Sequence, residues 1–310
     1  MATGGIMRFV GSDGATRVGL RAPDSGDLRS LPGVTGVAQL LRLTRDDLRL
    51  RLEEAARATP DHQIDDVTVL PPIDGDTEVW ASGVTYERSR QARGEESDSA
   101  DLYDRVYDAD RPELFFKSVP WRVVTDGEPI GVRDDSGFDV PEPELALVVN
   151  AHAEIVGYTV CDDVSSRSIE GENALYLPQA KVYAGSCALA SRIVPAWEVG
   201  DVREQRVRMR IVRAGADAFT GEIPLTALRR NLEGLVSWLF RSYPFPDGAV
   251  LATGTGIVPG MDFTLRDGDV VEIEISGVGT LSNPVAKGTD PFAWLLAARD
   301  APRARSTTSR

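Results

Sequence analysis

Histidine, cysteine and positive charge are all scarce in this sequence, and each shortage argues against a class of function. The 310 residues hold two histidines. His62 lies in the polar stretch Thr59-Pro-Asp-His-Gln-Ile-Asp-Asp66, read as a linker. His152 lies in Asn150-Ala-His-Ala-Glu154, read as a turn between two apolar strands. Neither setting holds a base on a rigid element, which argues against a Ser-His-Asp or Cys-His machine and against a His-ligated zinc. Cys161 and Cys187 have no CxxC spacing and make no disulfide framework; two reduced thiols are the expectation. Lys and Arg number 34 against 48 Asp and Glu, a formal charge of −14, which disfavours nucleic acid and anionic membrane as partners. No run reaches the ~18 apolar residues of a membrane span, and Met1 to Leu20 lacks a signal-peptide core, so a cytoplasmic chain is expected. GxSxG, P-loop and HExxH motifs are absent, and the glycines of Thr253-Gly-Thr-Gly-Ile-Val-Pro-Gly260 miss the GxGxxG spacing. If the chain is an enzyme, carboxylates, a lysine or a metal must do the work.

What is present looks ordinary for a globular protein, with 42% hydrophobic and 26% charged residues and a length that fits about two domains. Residues 1–72 read as a small N-terminal α+β domain. Met7–Val10 and Arg17–Arg21 are strands joined by Gly11-Ser-Asp-Gly14. Thr44-Arg-Asp-Asp47 has near capping-box spacing and opens a helix with Leu48, Leu52 and Ala55 on one face. After the strand Val67–Leu70, Pro71-Pro72 marks the boundary. Residues 73–300 read as a strand-rich second domain, with strands at Glu78–Val84, Leu145–Asn150, Glu154–Val160 and Val207–Val212. Val271, Ile273 and Ile275 alternate with Glu272 and Glu274 as a half-buried strand. Leu228, Leu232, Leu235, Val236 and Leu239 form one helical core stripe. Tyr86 to Arg111 is polar and poorly periodic, a long loop that is either a lid or disordered. Residues 301–310 are expected to be a disordered tail.

Pro141-Glu-Pro-Glu-Leu-Ala-Leu-Val-Val149 places Glu142 and Glu144 on one face at the mouth of a strand. Two like charges so placed repel unless a proton or a hard cation sits between them. Such i, i+2 acid pairs arise by chance about seven times in a chain this acidic, so the pair alone reads as a solvated face. Gly157-Tyr-Thr-Val-Cys-Asp-Asp-Val-Ser-Ser-Arg167 runs an apolar strand into Asp162 and Asp163, which alone reads as a turn or helix cap. Lys181 has apolar flanks and is either partly desolvated or a snorkelling lysine.

Taken in order, these segments, with Thr253-Gly-Thr255 and Leu265-x-x-Gly-Asp-x-Val-x-Ile-x-Ile-x-Gly-x-Gly279, resemble the fumarylacetoacetate hydrolase superfamily over about residues 75 to 290. The resemblance implies a mostly β, α+β fold with a rolled mixed sheet, and a homodimer or homotetramer. It implies that Glu142, Glu144 and Asp163 bind Mg2+, with Mn2+ or Ca2+ as alternatives. In the hydrolases of the family a Gly-x-Asn-Tyr-x-x-His motif supplies a histidine that activates water. Here the segment reads Gly83-Val-Thr-Tyr-Glu-Arg-Ser89, with Ser89 in the histidine's place. Arg111-Pro-Glu-Leu-Phe-Phe-Lys117 and Ile169-Glu-Gly-Glu-Asn-Ala-Leu-Tyr-Leu-Pro-Gln-Ala-Lys181 resemble the branch that dehydrates 2-keto-3-deoxy sugar acids, most like its 2-keto-3-deoxy-D-arabinonate dehydratases.

That likeness implies that Glu113, Lys181 and Thr255 join the acids at the site. The expected substrate is a small anionic 2-keto acid, such as 2-keto-3-deoxy-D-arabinonate going to 2,5-dioxopentanoate through a metal-stabilised enolate. Lys181, if neutral, or Glu170 and Glu172 would take the C3 proton, and Glu113 would protonate the departing C4 hydroxyl. Thr255 and Tyr86 would bind substrate, with Thr255 on its carboxylate. Two other readings remain open: a C–C hydrolase or decarboxylase of a β-diketo acid, and a non-catalytic relative that binds a small anion.

Overall fold

The computed structural model describes residues 4–22, 25–96, 100–241 and 243–307. The chain begins with β1 (Gly5–Val10), β2 (Thr16–Arg21) and β3 (Asp27–Ser30), then α1 (Val37–Leu41) and α2 (Arg45–Ala55), then β4 (His62–Gln63) and β5 (Thr68–Leu70). The Asp47 N–H donates to Thr44 Oγ1, whose own proton goes to the Asp47 carboxylate at 2.7 Å, so the shorter acid still closes a cap. Leu48, Leu52 and Ala55 are the buried face of α2, as their spacing predicts. His62, expected in a linker, lies instead in the edge strand β4, its ring edge-on to Phe9.

Next come β6 (Glu78–Ala81), α3 (Glu87–Glu96), α4 (Ala100–Asp108) and β7 (Phe115–Ser118). The long-loop expectation for Tyr86–Arg111 is thereby corrected for its described residues. α3 is helical without an apolar stripe, because Glu, Arg, Gln and Ala favour helix on propensity alone. β6 stops at Ala81, short of the expected Val84, which instead takes a left-handed φ of 52°. A β-branched residue there is strained, a cost of order 1–3 kcal/mol that surrounding contacts must hold.

The central segment runs β8 (Ile130–Val132), β9 (Asp139–Val140), β10 (Pro143–Val149), β11 (Ile155–Asp163) and β12 (Ser165–Ser166). It continues through α5 (Arg167–Glu172), α6 (Leu177–Lys181), β13 (Cys187–Leu189), β14 (Arg192–Pro195) and α7 (Ala196–Val199). The last stretch holds β15 (Arg206–Arg213), β16 (Ala216–Pro224), α8 (Leu232–Leu239), β17 (Ala249–Ala252), β18 (Val270–Ile275), β19 (Gly279–Lys287) and α9 (Trp294–Asp300). α8 begins at Leu232, not Leu228, because Asn231 caps it by accepting from the Gly234 N–H at 2.7 Å.

Strands outweigh helices and form three sheets, the largest ordered β4-β3-β2-β1-β14-β11-β10-β17-β6-β7, with β5 on β1 and β13 on β11. A second sheet runs β16-β15-β18-β19-β8, and β9 pairs with β12. Pairing is mostly antiparallel, but β17 lies parallel to β6 and β19 parallel to β8. β10 is buried along its whole length, which is why it reads as an apolar run. Its Leu145, Leu147 and Val149 enter one core, shared with α8 and the second sheet. Ala146 and Val148 enter another, packed under α1 and α2. Glu142 and Glu144 continue the Ala146–Val148 face.

The expected tail is corrected in part: Pro302–Thr307 forms a 3-10 helix, while 308–310 lie outside the described residues. Arg305 Nη1 donates to both oxygens of Glu128 at 2.9 and 2.7 Å, and Nη2 to the Val123 carbonyl. Both partners are almost fully buried. Burial pushes the Glu128 carboxyl up and Arg305 opposes that shift. Losing one member of a buried pair costs about 3–5 kcal/mol because the other charge stays behind. Arg305→Ala is therefore expected to lower the melting temperature by roughly 10 °C in thermal denaturation; a shift under 2 °C would show the tail to be an ornament.

Candidate metal centre

β10 and β11 pair in a register that sets Glu144 opposite Cys161, and the Asp163 N–H donates to the Glu142 carbonyl at 3.0 Å. Residues opposite each other in an antiparallel pair share a face, so Glu142, Glu144 and Asp163 converge. One carboxylate oxygen from each lies within 4.8 Å of the other two, and all three residues are buried.

Cations surround two of the three acids. Lys181 closes α6 and donates to Glu142 Oε2 and Asp163 Oδ2, both at 3.0 Å, and to Ser165 Oγ at 2.6 Å. Ser165 spends its own proton on the Asp163 carbonyl, so its oxygen can only accept from the lysine. Three acceptors around one Nζ match the three protons of an ammonium. Arg167, the first residue of α5, lies with Nη2 2.8 Å from Glu142 Oε1 and Nε 3.9 Å from Glu170 Oε2. Lys117 Nζ lies 2.5 Å from Asp163 Oδ1 as an ion pair. Lys117 also donates to the carbonyls of Val164 and Lys181.

Glu144 has no ion pair among the described residues. The Gly254 N–H donates to its Oε2 at 2.6 Å. Burial first, then Asp163 and Glu142, hold its carboxyl well above the usual range. On the opposite face Asp162 accepts from the Glu142 N–H, and burial pushes it up to about 7. The fully buried Glu144, with two other acids beside it and Lys181 offsetting them only in part, fits a hard dication such as Mg2+.

The remaining candidates lie at graded distances. Thr255 is buried next to Gly254, its Oγ1 accepting from the Ile257 N–H at 3.2 Å. Tyr86 is buried in the field of Glu144, and burial raises its phenol. Glu113 is half-buried against Gly83, where any Cβ would collide with its Oε2. Glu170 is buried beside Arg167. Glu172 is exposed at the end of α5, and the structure does not bring it to the acids. Sequence reasoning gave no role to Lys117, Arg167 or Ser165. The Ser-Ser-Arg that follows Asp163 was the available signal for the last two. Cys161 and Cys187 are buried free thiols, and their mutual hydrogen bond, with burial, pushes the Cys161 thiol up.

Ser89 lies at the start of α3, where its Oγ donates to the Tyr86 carbonyl at 2.8 Å and accepts from the Tyr86 N–H. It closes a local turn and has no base to activate it. His62 packs edge-on against Phe9, and His152 Nε2 meets the Arg42 carbonyl at 3.2 Å, so both histidines serve the N-terminal elements.

A buried acid trio interlocked with lysine and arginine on a mixed sheet defines a class: a carboxylate centre that could hold a hard divalent cation. Residues 78–286 match the fumarylacetoacetate (FAA) hydrolase C-terminal family. The chain belongs to that family. It is 46% identical over 285 residues to a probable 2-keto-3-deoxyxylonate dehydratase of Haloferax volcanii, covering 92% of this chain and 97% of that one. It is 48% identical over 229 residues to the 2-dehydro-3-deoxy-D-arabinonate dehydratase of Saccharolobus solfataricus, covering 73% and 76%. Among solved structures it resembles a 2-keto-3-deoxy-D-arabinonate dehydratase complexed with magnesium and 2,5-dioxopentanoate, with a TM-score of 0.77, 38% identity and coverage of 91% and 99%.

Proposed function

We propose that this protein is a metal-dependent hydro-lyase that removes water from a 2-keto-3-deoxy sugar acid, such as 2-keto-3-deoxy-D-arabinonate, to give 2,5-dioxopentanoate. The observation that carries the reading is an acid centre with no histidine around it, in a chain 46% identical to a dehydratase along almost its whole length. Glu142, Glu144 and Asp163 would hold Mg2+. A dication there supplies positive charge beside the keto and carboxylate oxygens of the substrate and so makes the C3 proton more acidic.

The protein's own groups divide the rest. Lys181, an ammonium matched to three acceptors, would offer positive charge to the substrate oxygens. The base at C3 would then be a carboxylate, and buried Glu170, which shares Arg167 with Glu142, supports that role better than exposed Glu172. The C3–H electron pair becomes the new C3=C4 bond as the C4 hydroxyl, protonated by Glu113, leaves as water. Loss of a C5 proton with protonation at C3 then moves the double bond to C4=C5. That enol takes a proton at C4 as its hydroxyl loses one, giving the C5 aldehyde of 2,5-dioxopentanoate. Thr255, next to the Gly254 that donates to Glu144, and Tyr86, in the field of Glu144, would bind the substrate. Hydrolytic cleavage needs a base aimed at water, and Ser89, occupied with Tyr86, cannot serve.

Mass spectrometry of the product tests this. A product lighter by ~18 Da, formed from a 2-keto-3-deoxy acid and lost on exhaustive chelation, is expected for metal-assisted dehydration. Two smaller acids from an acylpyruvate, with no turnover of any deoxy sugar acid, would overturn it.

A further inference from the structure

The α3–α4 hairpin leaves the body at Gly83–Tyr86 and returns at Asp110–Glu113, so its two stalks carry Tyr86 and Glu113. One short turn, residues 228–231, grips both stalks. On the first, the Arg229 N–H donates to the Thr85 carbonyl at 3.0 Å. Thr85 Oγ1 in turn donates to the Thr253 carbonyl at 2.6 Å, and the next residue, Gly254, donates to Glu144. A Cβ on Gly254 would collide with Thr85 Oγ1, so the stalk and the site loop touch backbone to side chain. Strained Val84 sits in this same stalk.

On the second stalk the Arg230 guanidinium caps the end of α4. Its Nη2 donates to the Val106 carbonyl at 2.8 Å, and its Nη1 to those of Ala109 and Asp110 at 2.7 and 3.3 Å. A cation at a helix C-terminus satisfies carbonyls that have no partner within the helix. Arg229 adds an ion pair to Asp108 at 3.0 Å and stacks on Tyr107, whose ring also faces Arg90. The turn is itself fixed: Arg203 donates to the carbonyls of Arg230 and Leu228, and Asn231 starts α8.

We propose that Arg230 is a positioning residue for the reaction, holding the α4 stalk so that Glu113, three residues beyond Asp110, keeps its place against Gly83. The assignment rests on the dehydratase reading for the role of Glu113. The clamp itself is a matter of geometry. Arg230 touches neither the acid trio nor the groups paired with it, so its loss should spare metal binding and strike turnover. A lysine in its place can reach one or two of the three carbonyls, but not all of them in the plane of a guanidinium.

The test uses full-length Arg230→Ala and Arg230→Lys. Hydrogen exchange followed by mass spectrometry should show amides 103–113 exchanging about tenfold faster in Arg230→Ala, with β10 and β11 unchanged. kcat should fall about tenfold or more with KM and Mn2+ affinity near wild type, because the interaction matters in the transition state. Millimolar guanidinium should restore part of the lost kcat to Arg230→Ala, and Arg230→Lys should lie between the alanine variant and wild type. Unchanged exchange over 103–113, or a turnover loss that guanidinium leaves untouched, overturns the proposal. If the wild-type chain turns over no 2-keto-3-deoxy acid, the dehydratase reading falls, and the exchange measurement still decides the clamp.

Discussion

Glu144→Ala is expected to abolish divalent-cation binding and to lower turnover by roughly a thousandfold, the scale of a lost Lewis acid. Among the described residues its side chain is the one member of the trio with no ion pair, so a bound cation meets least competition there. Glu142 and Asp163 already share Lys181, and each has a second cation in Arg167 or Lys117. The metal-free variant should not be less stable than the metal-free wild type. Removing a buried carboxyl held well above its usual range relieves repulsion, and the cavity left by the lost side-chain atoms offsets that gain in part. Titration with Mn2+ followed by electron paramagnetic resonance reads the binding directly. One Mn2+ per chain at wild-type affinity in Glu144→Ala would remove this residue from the ligand set.

Much of the centre was legible because strands report their faces in sequence. The i, i+2 spacing of Glu142 and Glu144 fixes a common side, and the ladder between β10 and β11 needs only one register to bring in Asp163. Helical segments were read less well. Glu170 and Glu172 look equivalent on paper, yet two residues on a helix are about 200° apart, so one is buried and the other exposed. α3 escaped notice because local propensity builds it without any apolar stripe for a periodicity argument to find, whereas α4 carries Tyr103, Val106 and Tyr107 at helical spacing, a short pattern lost within a polar stretch. Lys117 could not be found at all. Its apolar flanks read as a strand, and nothing local says that its Nζ reaches the carbonyls of Val164 and Lys181. The same holds for Arg230, whose three acceptors lie 120 or more residues away.

Lys181→Met should separate two things that usually fail together: turnover lost by roughly a thousandfold, and cation binding kept or tightened. The ammonium and a dication draw on the same two carboxylates, Glu142 and Asp163, each 3.0 Å from Nζ. Two unit charges 4 Å apart repel by about 4 kcal/mol at an effective dielectric near 20, so removing the lysine favours the dication. The metal-free variant pays for this in stability. Taking one partner from a buried ion pair costs about 3–5 kcal/mol, here left as repulsion among Glu142, Glu144 and Asp163. Added Mg2+ cancels that repulsion, so it should raise the melting temperature of the variant by more than it raises that of wild type. Turnover does not recover with it. Among the described residues the lysine is the one cationic side chain that touches two of the three acids, and methionine offers the substrate oxygens no positive charge. Calorimetric Mg2+ titration and steady-state kinetics on the same preparation decide the matter. Wild-type turnover in Lys181→Met would take the residue out of the chemistry. Weaker Mg2+ binding with the fold intact would mean that the lysine organises the ligands and does not compete for them.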